Sequence, residues 1–182
     1  MNRGWFIAVV GPSGAGKDTL IREAMAVRPD LVLARRVVSR PEAPETEDFE
    51  SVTPEVFEAR RAAGDFVLDW QAHGLSYGIP ANVRDALAEG RSVVANLSRG
   101  VIDAARARFE PFRVVVVTAD KSVLATRLAA RGRESAEEVA ARLNRSVYPS
   151  PTGTDVCWVD NGSVLDEGVA AFLAALPQPV NG

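Results

Sequence analysis

The segment Gly11-Pro12-Ser13-Gly14-Ala15-Gly16-Lys17 sets two glycines, Gly11 and Gly16, five positions apart and follows the second directly with a lysine. Positions without side chains let the backbone curl so that successive amide groups point inward, and a helix N-terminus behind them adds partial positive charge. Lys17 at that place reaches the outer phosphates of a polyphosphate, which makes Gly11 to Thr19 the candidate cradle of a nucleoside triphosphate such as ATP. The pattern expects Ser or Thr after the lysine to hold magnesium, whereas this chain has Asp18 there and Thr19 one place later. Asp18 is therefore read in two ways. It is either a carboxylate that holds Mg2+ through water, since that ion takes few direct protein ligands, or a favourable acid in the first turn of a helix.

A triphosphate cradle identifies no reaction, so the chemistry must come from other loops. Of 21 basic residues only Lys17 and Lys121 are lysine. Arginine offers a planar fork suited to phosphate, although a composition bias would give the same excess, so position has to decide. Three segments stand out: Ser39-Arg40-Pro41, the turn from Trp70 to Pro80, and the run from Arg127 to Leu143. Asn96, Ser98 and Arg99 follow a strand-like run, at the edge where open parallel sheets bind ligands. Asp160 and Asn161 end the last apolar run and are expected to line an adenine pocket. Arg127 and Arg145 are read as solvated helix arginines or ion-pair partners, and His73, the one histidine, as a turn residue. The Tyr77 hydroxyl is left between phosphate contact and packing by the ring alone.

The elements that must carry these residues alternate. Trp5 to Val10 reads as a buried strand, Leu20 to Met25 recur at helical spacing until Arg28-Pro29, and Leu31 to Val38 read as a second strand. Arg40 to Glu50, proline-rich and acidic, reads as a loop that does not pack. Thr53-Pro54-Glu55 starts a helix that Gly64 ends. A short strand from Phe66 to Trp70 leads into a tight turn at His73 to Gly78. Ala81 to Glu89 and Val101 to Phe109 are helical around a strand at Ser92 to Asn96, and Phe112 to Thr118 is the most apolar strand. Asp120 caps a helix to Arg131, Ser135-Ala136-Glu137-Glu138 forms a capping box for another to Arg145, and Asp155 to Val159 with Leu165 to Leu176 give a last strand and helix. This alternation predicts an α/β fold, a mainly parallel sheet with helices on both faces, in one domain covering residues 1–182.

With 182 residues, 47% hydrophobic and 25% charged, the chain suits one domain with a full core. No apolar run approaches the roughly 20 residues of a membrane span. Met1 to Gly4 enters the first strand with no small-residue cleavage site, so no signal peptide is expected. A net charge of −3 argues against a nucleic-acid partner. The one cysteine, Cys157, lies in an apolar stretch and is expected to be a buried small hydrophobe, which points to a reducing, cytoplasmic location.

In order and approximate spacing, the loop Gly11 to Lys17 and the three arginine-bearing segments resemble the guanylate kinase superfamily over nearly the whole chain. That resemblance implies a P-loop kinase with a central five-stranded parallel sheet, an acceptor-binding insertion at about 39–80 and a helical lid at about 127–145. It implies that Ser39, Arg40 and Tyr77 hold an acceptor phosphate and that Arg131, Arg133 and Arg142 act with Lys17 on the triphosphate. Departures narrow it. Glu42 or Ala43, and Phe49, stand where guanylate kinases grip the acceptor phosphate again, and Val93 to Arg99 lacks the strand-end aspartates, although Asp69 matches a base-reading glutamate. Gly16-Lys17-Asp18-Thr19, Asn96-Leu97-Ser98-Arg99 and Arg131-Gly132-Arg133-Glu134 are similar instead to the ribose 1,5-bisphosphate phosphokinases of bacterial phosphonate breakdown. That family implies ATP-dependent phosphorylation of a small sugar phosphate to 5-phosphoribosyl 1-diphosphate, with Asn96, Ser98 and Arg99 on the substrate. The rival expectations are a nucleoside monophosphate kinase and a non-catalytic module that binds a protein.

Overall fold

Five consecutive apolar residues, Phe6–Val10, form strand β1, and none of their surface is exposed. Such a run fits only where both faces of a sheet are covered. Alternation divides it: Phe6, Ala8 and Val10 pack on one face with Ile102, Ala105 and Phe109, while Ile7 and Val9 pack on the other with Leu20, Ile21, Ala24 and Phe172. The Phe6 and Phe109 rings stack with centroids 3.9 Å apart. A computed structural model describes residues 3–40, 48–130 and 149–179.

The remaining elements follow in chain order. They are α1 (Lys17–Val27), β2 (Leu31–Leu33), β3 (Arg36–Val38), β4 (Phe49–Ser51), α2 (Pro54–Ala62), β5 (Phe66–Ala72), β6 (Leu75–Pro80) and α3 (Val83–Ala88). After these come β7 (Ser92–Asn96), α4 (Ile102–Arg106), β8 (Phe112–Thr118), α5 (Lys121–Ala130), β9 (Val156–Asp160) and α6 (Leu165–Ala175). The main sheet is wholly parallel in the order β2-β7-β1-β8-β9, as expected. In register Phe6 lies beside Val93 and Phe112, and Val9 beside Asn96, so the residues after β1 and β7 emerge together at one edge of the sheet.

A second sheet, β4-β3-β6-β5, stands on the stretch between β2 and α3. It corrects three expectations. Leu31 to Val38 is two strands in two sheets: Ala34 makes the last bond to the main sheet, its amide donating to the Val94 carbonyl at 2.9 Å, and the chain then turns away. Phe49, placed in a non-packing loop, is 3% exposed and pairs beside Arg36 in β4. The tight turn is only His73-Gly74, both at positive φ (53° and 74°), and it closes the antiparallel β5–β6 hairpin, in which Trp70 opposes Tyr77.

Helix α2 begins as read, with the Thr53 hydroxyl accepting from the Val56 amide at 3.3 Å. Phe57 of α2 stacks on Phe66 of β5 at 4.8 Å and so fastens the helix to the hairpin. The expected helix at Val101 to Phe109 is a 3-10 turn at Arg99–Val101 followed by a short α4. The second helix of the lid, Ser135 to Arg145, lies outside the described residues. Cys157 is half-buried rather than buried, because β9 is an edge strand, and its sulfur accepts from the Arg113 guanidinium at 3.1 Å. Among the described residues no helix is long and apolar enough to cross a membrane.

Candidate functional site

The loop between β1 and α1 is wedged against two neighbours. A β-carbon at Gly11 would lie 2.2 Å from the Val117 carbonyl oxygen of β8, and one at Gly16 would lie 2.5 Å from Nδ2 of Asn161. Gly16 also has φ 87°, which an L side chain resists, and it caps α1 without any side-chain hydrogen bond. The first amide groups of an 11-residue helix are thus uncapped by side chains and positioned to receive an anion. Lys17 Nζ donates to the carbonyls of Gly11 at 2.9 Å and Pro12 at 3.1 Å, which holds the amine over the loop.

Asn161 supports the loop from beneath. It is 4% exposed, its Nδ2 donates to the Ala15 carbonyl at 2.7 Å and its own amide donates to the Thr118 carbonyl at 2.7 Å. A β-carbon at Gly168 of α6 would come within 2.1 Å of its Oδ1, so the carboxamide is enclosed on both sides. It does not line the cleft described below. Arg127 of α5 completes this support by donating to the Asn161 carbonyl at 2.7 Å and to the Gly14 carbonyl at 3.4 Å. It is a brace for the loop and not the solvated or ion-paired arginine expected of its helix position.

Above the loop runs a polar cleft of about 230 Å³. One wall is Ser13, Gly14, Gly16, Lys17, Asp18 and Thr19; the facing wall is the second sheet, with Arg36, Val38, Arg40, Phe49, His73, Leu75 and Tyr77; Asn96 closes the floor at the end of β7. Strand alternation explains the second wall: Arg36, Val38 and Arg40 share a face, while Val37 and Ser39 are buried on the other. Asn96 Nδ2 donates to Asp18 Oδ1 at 2.7 Å, tying the first turn of α1 to the end of β7. Tyr77 stacks on Trp70 with centroids 5.3 Å apart, and the Arg36 guanidinium carbon lies 5.9 Å from the Tyr77 ring centre.

Lys17, Asp18, Thr19, Arg40, Tyr77 and Asn96 are therefore brought together. Other expected site residues are not at the cleft. Ser39 pins the two strands, its Oγ accepting from the Ser76 amide at 2.8 Å. Asp69 turns to α2, where its carboxylate lies 3.2 Å from Arg61 Nε. Ser98 caps the 3-10 turn, its Oγ accepting from the Gly100 amide at 3.4 Å, and Arg99 sits in that turn. Arg131, Arg133 and Arg142 lie outside the described residues. Arg36 was missed because two adjacent arginines in an apolar run give no sign of which faces a cleft. Its signal was the alternation with Arg40.

Among the described residues no cluster of three or more His, Cys, Asp or Glu side chains could hold a metal. Asp18 and Thr19 at the head of α1 nevertheless suit an ion whose other ligands are water and phosphate oxygens, as magnesium prefers.

A family model described as an AAA domain matches residues 6–148. The chain is 49% identical over 174 residues to a bifunctional ribose 1,5-bisphosphokinase-thymidine phosphorylase of Cupriavidus necator, covering 95% of this chain but spanning only 29% of that longer protein. It is 48% identical over 176 residues to a ribose 1,5-bisphosphate phosphokinase of Acidiphilium cryptum, covering 95% of this chain and 92% of that one. In fold it superposes on the guanylate kinase of Anaplasma phagocytophilum with a TM-score of 0.67 at 16% identity, covering 95% of this chain and 84% of that chain. Identity near one half over almost the full length of a single-activity relative, on a guanylate kinase-like fold, means that the chain belongs to the ribose 1,5-bisphosphate phosphokinase family.

Proposed function

We propose that this chain transfers the γ-phosphoryl group of ATP to the 1-phosphate of ribose 1,5-bisphosphate, giving 5-phosphoribosyl 1-diphosphate and ADP. The observation that carries this reading is the cleft itself, which joins the uncapped start of α1 and Lys17 to a wall bearing Arg36 and Arg40. An oxygen of the acceptor phosphate forms the new bond to the γ-phosphorus. The bond from that phosphorus to the bridging oxygen breaks, and the oxygen leaves with the electron pair as part of ADP. The acceptor oxygen is already ionised near neutral pH, so no general base is required, and catalysis reduces to alignment and charge compensation.

Lys17, Arg36 and Arg40 offset the repulsion between two polyanions within one cleft. Arg40 and Tyr77 are assigned the acceptor phosphate, and Gly11 to Thr19 the triphosphate. Asp18, its carboxylate fixed by Asn96, would hold magnesium through water, and the ion would supply positive charge against the triphosphate. Arg131, Arg133 and Arg142 are assigned the transferring group on family resemblance. A purine monophosphate is a poorer match, because Asp18 is the only carboxylate among the described lining residues and Asp69 pairs with Arg61 instead.

The test is ADP production with ATP and magnesium against ribose 1,5-bisphosphate, GMP, AMP and no acceptor, with the product identified by phosphorus NMR. Turnover confined to the sugar bisphosphate and yielding a 1-diphosphate is expected. Turnover of GMP would return the chain to the nucleotide kinases.

A further inference from the structure

The acceptor in the proposed reaction carries two phosphates, and the reaction consumes an oxygen of only one. The second sheet offers two guanidinium groups on one face, Arg36 and Arg40, and among the described residues neither has a carboxylate partner. Arg35, between β2 and β3, is by contrast paired to Asp48 at 3.1 Å. A guanidinium held beside an aromatic ring, 5.9 Å from the Tyr77 centre, keeps its N–H fork available for an anion.

The two arginines also differ in place. Arg36 borders both the polar cleft and a second recess of about 210 Å³, whose apolar wall is Ile21, Met25, Leu33 and Ala34 and whose rim carries Asp18, Arg22, Asp48 and Asn96. Arg36 therefore lies where the cleft and the recess meet, whereas Arg40 and Lys17 line the cleft alone.

We infer that Arg36 binds the acceptor's non-reacting 5-phosphate and so selects a bisphosphate over a sugar carrying the 1-phosphate alone, an inference that rests on the reaction proposed above. Arg40 then serves the reacting 1-phosphate.

The experiment compares wild type with Arg36→Gln, measuring KM for ribose 1,5-bisphosphate and the inhibition constant of ribose 1-phosphate as a competitor against it. Loss of a charge-assisted contact is expected to raise KM for the bisphosphate roughly 10- to 100-fold. The inhibition constant of ribose 1-phosphate and KM for ATP should stay within about twofold, because neither ligand has the phosphate that Arg36 would hold. An unchanged KM for the bisphosphate overturns the inference. So does an equal weakening of ribose 1-phosphate, which would place Arg36 at the reacting end. Should the glutamine variant not fold, Arg36→Lys, which keeps the charge and loses the fork, is read in the same way with a smaller expected rise. A wild-type chain that does not turn over the bisphosphate at all refutes the proposed reaction instead, and that outcome is distinct because it appears before any variant is compared.

Discussion

Replacing Asn161 by alanine separates two roles for one residue. If its carboxamide acts from beneath the phosphate loop, the substitution removes the 2.7 Å bond to the Ala15 carbonyl and leaves that oxygen without this partner. An unsatisfied buried acceptor costs about 1–3 kcal/mol, and the void between Gly16 and Gly168 adds to it, so about 2 kcal/mol is a conservative figure. For a chain of this size each kcal/mol moves Tm by about 2–4 °C, which gives a fall of about 4–8 °C. The loop also loses its tie to β9 and α6, so KM for ATP should rise by about tenfold while KM for the acceptor changes little. Asn161→Asp, nearly isosteric, removes the donor and sets a carboxylate against the carbonyl, and it should cost at least as much. Thermal unfolding followed by circular dichroism, with steady-state kinetics on both substrates and on GTP in place of ATP, decides the matter. An adenine contact would instead change the ATP-to-GTP preference at unchanged Tm. That result would refute the support role.

Four further outcomes are expected. Lys17→Ala should lower kcat by about 10²- to 10³-fold while shifting Tm by only a few degrees, because the amine's bonds to Gly11 and Pro12 are partly exposed; equal loss of fold and turnover would make Lys17 structural. Arg40→Ala should raise KM for the acceptor by roughly 10-fold or more and leave KM for ATP alone, and an effect confined to ATP would move Arg40 to the wrong side of the cleft. Asp18→Asn should raise the magnesium concentration needed for half-maximal turnover; an unchanged magnesium profile would leave Asp18 a helix-turn acid. Arg28 donates to both oxygens of Asp30 at 2.7 Å, which holds the Asp30 carboxyl below the usual carboxylate range. The stabilisation this gives is present above that usual range and disappears as the pH falls through the lowered value. Asp30→Asn should therefore cost about 1 kcal/mol in urea unfolding at pH 7 and progressively less on acidification, and a pH-independent difference would contradict the ion-pair account.

The parts of the fold that were legible in the sequence are those whose environment is uniform along the chain. Val114 to Val117 and Phe6 to Val10 are buried on both faces, so the apolar run itself marks the strand. The second sheet has mixed surroundings. Leu31 to Val38 contains no Gly or Pro to mark the departure at Ala34, and the break is set by pairing, β2 on β7 and β3 on β6. The hairpin strand β6 did carry alternating Leu75, Tyr77 and Ile79, but Gly78 hid it. That glycine is needed because a β-carbon there would lie 2.7 Å from the Phe66 ring.

The site divides along the same line. The phosphate loop was readable because its function is carried by backbone geometry, and backbone geometry dictates glycine. Ser39 and Asp69 are expected at the site from family resemblance, Ser98 from resemblance and its place at the sheet edge, and Asn161 from its place at a strand end, and none of these says whether a polar group meets a ligand or another part of the chain. Their partners are Ser76, Arg61, Gly100 and Ala15, at sequence distances from 2 to 146, and only the short one lies within a local window. Arg127 shows the converse: an arginine at an ordinary helix position becomes a brace because Gly14 and Asn161 offer carbonyls where the folded chain brings α5 past them. For the charged side chains of the second sheet, the presence of an ion-pair partner within the chain separates structural from ligand-binding ones. By that criterion Arg36 and Arg40, which line the cleft and have no carboxylate partner among the described residues, are the claimants to the acceptor's charge, whereas Asp69 is paired to Arg61.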